Sequence, residues 1–240
     1  MIATRRDGPV IRIAFDRAVA RNAIDADGWD GLARAIALAA DSDAAAVILT
    51  SEVPGIFSAG ADLAMLGTLH HDPTERPRFR GRMAQAVEGL AALPMPVIAA
   101  VDGPCYGAAV ALVLAADLVI AGDDARFAIT PAKLGIGYPA ADIARLVARI
   151  GRGQASRMMF TAVPIDADEA VRIGLADMRA TTAVLNAYEV AATIAGNAAS
   201  AVRLLKRTIA RPDGGDAGFD AAFGGADFAD RLAAFRNRPR

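Results

Sequence analysis

The sequence predicts an α/β fold in which helices pack closely on a buried sheet. Short β-like apolar runs alternate with longer segments of helical spacing along the 240 residues, a pattern typical of layered α/β proteins. Hydrophobic residues make up 54% of the chain and aromatic residues only 5%, so small side chains supply most of the apolar surface. This composition excludes a disordered chain and suits helices lying close to a sheet.

Apolar runs of five or six residues predict the strands of the front part of the chain. These runs are 10–15, 46–51, 96–101 and 117–121. Helical spacing follows the first run over 25–40 and precedes the third over 82–93, and a small-residue helix begins near residue 107. The polar segment 70–78 contains two prolines, which predicts a mobile segment.

Helical spacing dominates the chain beyond residue 139. The predicted helices are 140–150, 154–161, 167–173, 182–195, 199–210 and 227–235. We therefore divide the chain into a core domain over 1–180 and a helical region over 181–240. The helix 199–210 carries Val202, Leu204, Leu205 and Ile209, so we expect it to pack on the core or on a neighbouring subunit.

Charge, cysteine content and hydropathy exclude several classes of protein. The formal net charge is −1, so nucleic acid is not an expected partner. The most apolar stretch, 97–122, is interrupted by Asp102 and Asp117, and no membrane span is expected. Cys105 is the single cysteine and there are two histidines, which leaves little material for a metal site. The N-terminal residues lack a signal-peptide pattern, and we expect a cytoplasmic protein.

The first of two informative junctions, here called the first elbow, reads FSAGADL over 57–63 and follows a predicted strand. Gly60 permits a backbone turn that most residues resist. Asp62 can cap a following helical turn, which leaves the N–H near Ala61 free to face a ligand. The first elbow is therefore a candidate backbone binding site.

The second elbow reads DGPCYGAA over 102–109 and also follows a predicted strand. A glycine-proline turn leads into a small-residue helix, which places the N–H of Ala108 at the positive end of that helix. Two convergent backbone donors form an oxyanion hole, which stabilises charge on a thioester or ester carbonyl without a reactive side chain. A strand, a turn and a helix also occur in most α/β proteins, so a purely structural role for each elbow stays open.

Several motifs in fixed order carry more information than either elbow alone. The chain reads FDRAVARNAI over 15–24, FSAGADL over 57–63 and VDGPCYGAAVAL over 101–112, followed by DLVIAG over 117–122, FTA over 160–162 and ADEAVRIGLAD over 167–177. Together these motifs resemble the enoyl-CoA hydratase/isomerase family, the crotonase superfamily. The resemblance covers nearly the whole chain from Phe15 onward.

The resemblance implies a crotonase (ClpP-like) fold of repeated ββα units, with 181–240 as a C-terminal helical trimerisation region. The expected assembly is a homotrimer or a hexamer formed as a dimer of trimers. The expected substrate is an acyl-CoA thioester, with coenzyme A as part of the substrate and with no other cofactor or metal. Its enolate oxygen would lie between the N–H groups of Ala61 and Ala108.

The resemblance also implies which residues contact coenzyme A. Matching positions assign this role to both elbows, through Ala59, Gly60, Ala61, Asp62, Leu63, Gly107 and Ala108. The basic end of the chain, with Arg236, Arg238 and Arg240, resembles the contacts that the family makes to the phosphates of coenzyme A.

Two catalytic acids of the family's hydratases are missing from this chain. Those hydratases use two glutamates to handle the water and its proton, and the matching positions are Ala111 and Pro131. Neither side chain transfers a proton, which argues against hydration by paired glutamates. No Asp or Glu occurs within 103–116 or 125–141, so a shift of one residue in the match supplies none.

Three other polar residues near the expected acyl site are candidate catalytic groups: Thr130, Tyr138 and Asp142. Each also has a structural interpretation, as a turn residue, a packing aromatic and a helix N-terminal charge respectively. The segment FAITPAKLGIGY over 127–138 resembles methylmalonyl-CoA decarboxylase, in which a tyrosine at this place lies in the active site. Decarboxylation needs enolate stabilisation and no pair of glutamates.

Three functions therefore stay open at this point. The first is an acyl-CoA enzyme of the hydratase/isomerase group with an unassigned acid–base residue. The second is a decarboxylase-like lyase that uses Thr130 and Tyr138. The third is a protein that binds coenzyme A without catalysis.

Overall fold

The computed structural model describes residues 1–236 and contains two β-sheets flanked by helices. The strands are β1 (Ile2–Asp7), β2 (Val10–Phe15), β3 (Ala46–Ser51), β4 (Val97–Val101), β5 (Pro104–Tyr106), β6 (Leu118–Gly122), β7 (Arg126–Ala128), β8 (Ile165–Asp166) and β9 (Met178–Ala180). The larger sheet has the order β1-β2-β3-β4-β6-β9, and the smaller one has the order β5-β7-β8. Strand β1 is antiparallel to β2, whereas β2, β3, β4, β6 and β9 run parallel.

Ten α-helices connect and cover these strands in the described part of the chain. They are α1 (Ala26–Ala40), α2 (Leu63–His71), α3 (Glu75–Ala91), α4 (Ala108–Leu114), α5 (Ala140–Thr161), α6 (Ala167–Arg172), α7 (Ala183–Ala195), α8 (Ala199–Ala210), α9 (Ala217–Ala222) and α10 (Ala226–Arg236). The α/β class predicted from the sequence is thereby confirmed. None of the helices within residues 1–236 is long and apolar enough to cross a membrane.

The central strands are buried on both faces, as expected for parallel strands between layers of helices. Because successive side chains of a strand alternate, Leu49 of β3 points into the larger core and Ile48 into the smaller one. Helix α7 covers the smaller core with Ala183, Ala187 and Ala191, which recur every four residues. The helical layer that covers the sheet therefore includes residues beyond 180, the predicted end of the core domain.

The polar segment 70–78 lies mostly within α2 and α3, and its expected mobility stays a prediction. The two helices are separated only by residues 72–74. Pro77 lies in the first turn of α3, where a missing N–H breaks no helical hydrogen bond. Arg76 donates to the carbonyl oxygens of Leu69 and His70 at 2.8 and 3.1 Å, which satisfies the end of α2.

Helices α8, α9 and α10 form an arm with no buried residue in its described part. Lys206 attaches this arm to the core, since its ammonium donates to Met95 O at 2.9 Å and to Asp117 Oδ2 at 2.7 Å. Large apolar side chains remain exposed along the arm, namely Leu205, Ile209, Phe219, Phe223, Phe228, Leu232 and Phe235. The expected role of this region in a trimer stays a prediction.

Asp102, immediately after β4, connects the sheet to α7 by capping that helix. Its Oδ1 accepts from the Ala183 N–H at 2.8 Å and its Oδ2 from the Val184 N–H at 3.2 Å. These N–H groups lie at the start of the helix and have no partner within it. Gly122 leaves the space that the carboxylate fills, because a Cβ there would collide with Asp102 Oδ1.

We predict that Asp102→Ala lowers the free energy of unfolding by about 1 kcal/mol, the usual effect of deleting a helix cap. Urea denaturation followed by circular dichroism measures this change. Asp102→Asn is the graded control, because its single amide oxygen can keep the bond from the Ala183 N–H but not the one from the Val184 N–H, so its loss should be smaller. Equal losses in the two variants would show that the cap itself is not what stabilises α7.

Candidate active site

The two elbows lie side by side because they follow neighbouring parallel strands. Strands β3 and β4 pair directly, so their carboxyl ends meet at one edge of the larger sheet. Beyond that edge the elbows hydrogen-bond to each other. The Ser58 N–H donates to Pro104 O at 3.0 Å, and the Tyr106 N–H donates to Ser58 O at 2.9 Å.

Gly60 is the point of closest approach between the elbows. Its φ is +91°, a conformation that favours glycine. A Cβ at this position would lie 2.5 Å from Tyr106 O and 3.2 Å from the Ala108 nitrogen. Only a residue without a side chain therefore lets the first elbow come this close to the start of α4.

Ile24 holds the peptide group between Gly60 and Ala61 from behind. Its N–H donates to Gly60 O at 2.7 Å, and its carbonyl oxygen accepts from the Asp62 N–H at 3.0 Å. In a planar trans peptide the N–H points opposite to the C=O. The Ala61 N–H is therefore directed away from Ile24, and it donates to no other residue among 1–236.

The peptide group between Gly107 and Ala108 is held in the same manner. Gly107 O accepts from the Tyr138 hydroxyl at 3.0 Å and from the Val110 N–H at 3.0 Å. The Ala108 N–H points the opposite way, at the start of α4, where no helical carbonyl is available. It likewise has no acceptor within the described part of the chain.

Ala61 and Ala108 line one cleft of about 570 Å³, a volume within the usual range for small-molecule sites. The remaining lining comes from both elbows, from the segment before Ile24 and from the turn after β7. These residues are Ala20, Arg21, Ala23, Ala59, Asp62, Leu63, Ala64, Leu66, Gly107, Thr130, Lys133 and Leu134. All predicted coenzyme A contacts of the two elbows except Gly60 thus line the cleft.

Asp62 is the only carboxylate in the lining of this cleft within the described residues. The Arg17 guanidinium, 2.6 Å away, holds the pKa of Asp62 below its usual value, and the N–H groups of Ala64 and Met65 act in the same direction. The carboxylate is thus ionised, its charge is balanced by Arg17, and it also caps the start of α2. It is poorly suited to transfer a proton.

Two cations in the lining, Arg21 and Lys133, make no ion pair with another described residue. Arg17 differs, because it pairs with both Asp25 and Asp62. Both unpaired side chains belong to exposed residues. The cleft therefore presents net positive charge to a ligand.

The three polar candidates from the sequence occupy different places. Thr130 lines the cleft, with its hydroxyl 3.4 Å from the position that a Cβ on Gly107 would occupy. Tyr138 is partly buried behind the second elbow, and burial raises its pKa well above the usual value, so the phenol stays protonated. Asp142 is buried in the first turn of α5 and pairs with Arg145 at 3.2 Å. Neither Tyr138 nor Asp142 lines the cleft.

The two positions that the sequence resemblance matches to the hydratase glutamates, Ala111 and Pro131, carry no acidic side chain. Ala111 is fully buried within α4, and Pro131 begins the 3₁₀ turn Pro131–Leu134 after Thr130. Of the basic residues at the chain end, Arg236 is the last residue of α10. Arg238 and Arg240 lie outside the described residues.

Sequence reasoning missed the residues that hold the first elbow from behind. The side chain of Asn22 donates from Nδ2 to Phe57 O at 3.0 Å. The main-chain carbonyl oxygen of Asn22 accepts from the Ser58 hydroxyl at 2.7 Å. Ile24 and Arg17 hold the same elbow further along. All three residues belong to the motif FDRAVARNAI over 15–24, which is the sequence signal for this support.

Comparison with known proteins agrees with this architecture. A sequence profile of enoyl-CoA hydratase/isomerase matches residues 5–217. The chain belongs to the enoyl-CoA hydratase/isomerase family. A crystal structure of an enoyl-CoA hydratase/isomerase family protein from Hyphomonas neptunium superposes with a TM-score of 0.94 at 32% identity, over 98% of this chain and 94% of that one. The expected crotonase fold is thus confirmed.

Two relatives show how far the similarity in sequence extends. The short-chain-enoyl-CoA hydratase of Clostridium acetobutylicum is 34% identical over 214 residues, which is 88% of this chain and 81% of the relative. The mitochondrial methylglutaconyl-CoA hydratase of Mus musculus is 34% identical over 167 residues. That match covers 69% of this chain and 52% of the mouse enzyme, so the chain spans about half of that relative's length.

We predict that Gly60→Ala separates the two elbows and lowers the free energy of unfolding by about 1–3 kcal/mol, because it combines a strained positive φ with a backbone collision. Binding of acetyl-CoA, measured by calorimetry, should weaken in parallel. Gly67→Ala is the control. Its Cβ meets nothing within 4 Å in α2, and it should stabilise the protein by about 0.5–1 kcal/mol. Normal acetyl-CoA binding by folded Gly60→Ala would contradict the contact.

We predict that Asp142→Asn gains stability relative to the wild type as the pH rises. Burial raises the pKa of Asp142, against the opposing effect of Arg145, so folding favours the protonated acid. Wild-type stability then falls as the pH rises from the unfolded pKa, about 4, through the higher folded pKa, whereas asparagine is neutral throughout. Urea unfolding at pH 4 and pH 7 measures the difference.

Asp43→Asn is the control with the opposite sign. A hydrogen bond from Arg6 holds the pKa of Asp43 below its usual value, so that variant should lose stability relative to the wild type as the pH rises from below the lowered folded pKa to about 4, the unfolded value, and its urea unfolding is compared over that acidic range. A difference between Asp142→Asn and the wild type that does not change with pH would contradict the burial argument.

Proposed function

We propose that this protein binds acyl-CoA thioesters and stabilises their enolates with the N–H groups of Ala61 and Ala108. One observation carries the proposal: both N–H groups lack an acceptor in the described chain, line the same cleft and belong to peptides held from behind. An enolate concentrates negative charge on the thioester oxygen. Two fixed donors stabilise that charge without reorganising during the reaction.

The rest of the cleft suits the remainder of an acyl-CoA molecule. The first elbow lines the cleft with Ala59, Ala61, Asp62 and Leu63, and an extended pantetheine chain would lie along these residues. Arg21 and Lys133 are cations without an ion-pair partner in residues 1–236, and their charge attracts the phosphates of coenzyme A. These features support coenzyme A as part of the substrate, with Thr130 beside the reacting carbonyl.

The acid–base groups of the cleft favour a reaction that does not need two carboxylates. Asp62 is neutralised by Arg17, and Ala111 and Pro131 cannot transfer protons. The two relatives named above are hydratases. Because this chain lacks carboxylates at positions 111 and 131, we do not extend two-glutamate hydration to it. Proton transfer to or from the enolate would then involve solvent or Thr130.

Decarboxylation of a carboxyacyl-CoA is the second candidate, and the charge of the cleft favours it. The C–C bond to the carboxylate breaks, carbon dioxide leaves, and the electron pair passes through the enolate to the thioester oxygen. Solvent then protonates the α-carbon. Among the described residues, Arg21 and Lys133 of the cleft make no ion pair and Asp62 is already paired with Arg17, so the cleft accepts a substrate carboxylate without repulsion. Binding of coenzyme A without catalysis is the remaining alternative.

We predict that Ala108→Pro lowers kcat by about 10²- to 10³-fold, the usual effect of losing one oxyanion donor. The first helical position accepts proline, so α4 should still form, as circular dichroism would show. Ala108→Gly keeps the N–H and is the matched control with near-normal activity. Equal activity in folded Ala108→Pro would remove this N–H from the mechanism. Absence of wild-type binding to millimolar acetyl-CoA would overturn the function itself.

We predict that the wild type hydrates crotonyl-CoA slowly, since each missing general acid or base costs about 10²- to 10⁴-fold in rate. Absorbance of the enoyl thioester follows hydration, and release of carbon dioxide from methylmalonyl-CoA tests the second candidate. Binding of both thioesters with turnover of neither would identify a binding protein. A crotonyl-CoA kcat of about 100 per second or more, ordinary for an enzyme, would show that another group acts as the acid.

A further inference from the structure

The proposed function gives no role to the Tyr138 hydroxyl, because this group does not line the cleft. The phenol lies behind the second elbow and donates to Gly107 O at 3.0 Å. Tyr138 and Gly107 are 31 positions apart in the chain. A contact over this distance depends on how α4 and α5 pack and not on local turn geometry.

We propose that Tyr138 is a positioning residue that orients and polarises the peptide between Gly107 and Ala108 for its role as an oxyanion donor. This inference rests on the proposed function and adds a group that acts through the backbone. Tyr138 need not touch the substrate, because the carbonyl that it binds and the N–H that faces the cleft belong to one rigid peptide unit.

Orientation is needed at this peptide because Gly107 places little restriction on it. Gly107 has a φ of +53° and a ψ of −121°, and its missing Cβ leaves the adjoining peptide free to rotate. The Gly107 N–H is bound by Ala128 O at 2.8 Å, which fixes the preceding peptide but not this one. The Tyr138 phenol and the Val110 N–H both bind Gly107 O, and together they oppose rotation of the Ala108 N–H away from the cleft.

Polarisation follows from the same contact. A hydrogen bond accepted by a peptide carbonyl draws electron density toward the oxygen and makes the N–H of that peptide a stronger donor. The Val110 N–H also binds Gly107 O, so both lone pairs of this oxygen are occupied. Burial keeps the Tyr138 phenol protonated, and the nearby Asp142 carboxylate acts in the same direction. The phenol therefore remains a donor across the physiological range of pH.

The first elbow provides a comparison within the same molecule. There the backbone N–H of Ile24 donates to Gly60 O, behind the Ala61 N–H. The two proposed donors are thus supported in the same way, once by a backbone group and once by a side chain. Only the second support can be removed by substitution without changing the backbone.

The test uses the chromophoric thioester 4-(dimethylamino)cinnamoyl-CoA, whose absorption moves to longer wavelength when its carbonyl is polarised. The full-length wild type should bind the probe and produce this red shift. In Tyr138→Phe, which keeps the ring, we expect the red shift to shrink by about 10–30%, the size of cooperative effects in chains of hydrogen bonds. The Kd for coenzyme A itself, which has no acyl carbonyl, should stay unchanged.

Tyr188→Phe is the matched control, because it removes a phenol that donates to Asp7 from α7, in the smaller core. Its red shift should equal that of the wild type. A full red shift in Tyr138→Phe overturns the inference. If coenzyme A also binds more weakly to that variant while the red shift is undiminished, Tyr138 has a structural role alone. A wild type that binds the probe without any red shift overturns the proposed oxyanion hole and this inference with it.

Discussion

The close approach of the two elbows at Gly60 is the constraint on which the candidate site depends. Parallel pairing of β3 with β4 brings the two chain segments to one edge of the sheet, and hydrogen bonds between Ser58 and the second elbow join them there. The absence of a Cβ at Gly60 then lets the first elbow reach the start of α4. Without this contact the cleft would not bring both backbone donors together.

A site built from backbone donors has a particular consequence for its chemistry. Peptide N–H groups are present whatever the side chain, so Ala61 and Ala108 can act as donors although their side chains are inert. Groups that move protons must instead be supplied by particular side chains, and the positions that the sequence resemblance matches to the hydratase glutamates are Ala111 and Pro131. Membership of the family therefore supports enolate stabilisation more strongly than it supports any one overall reaction.

Expectations from the sequence agree best with the structure where a segment is long and buried. The apolar runs over 10–15 and 46–51 coincide with β2 and β3, because strands inside a layered fold need apolar residues on both faces. Strand β1 was missed because it is an exposed edge strand with two arginines. The three-residue strands β5, β7 and β9 are too short for any periodicity to show.

Local sequence also determined the conformation of each elbow. A glycine at position 60 allows a positive φ, Asp62 caps the helix that follows, and the small residues from Gly107 onward begin α4 as expected. These features involve residues only a few positions apart, so the sequence contains the whole interaction. The same holds for Asp25, which caps α1 through the Gly28 N–H.

Only the tertiary structure decided what the polar candidates do. Tyr138 could be placed near the acyl site from the sequence, but its bond to Gly107 depends on the packing of α5 against α4. Asp142 is buried against Arg145, and the desolvation that raises its pKa is a property of the folded surroundings. Hydrogen-bond partners and desolvation depend on distances between residues far apart in the chain, and folding alone sets those distances.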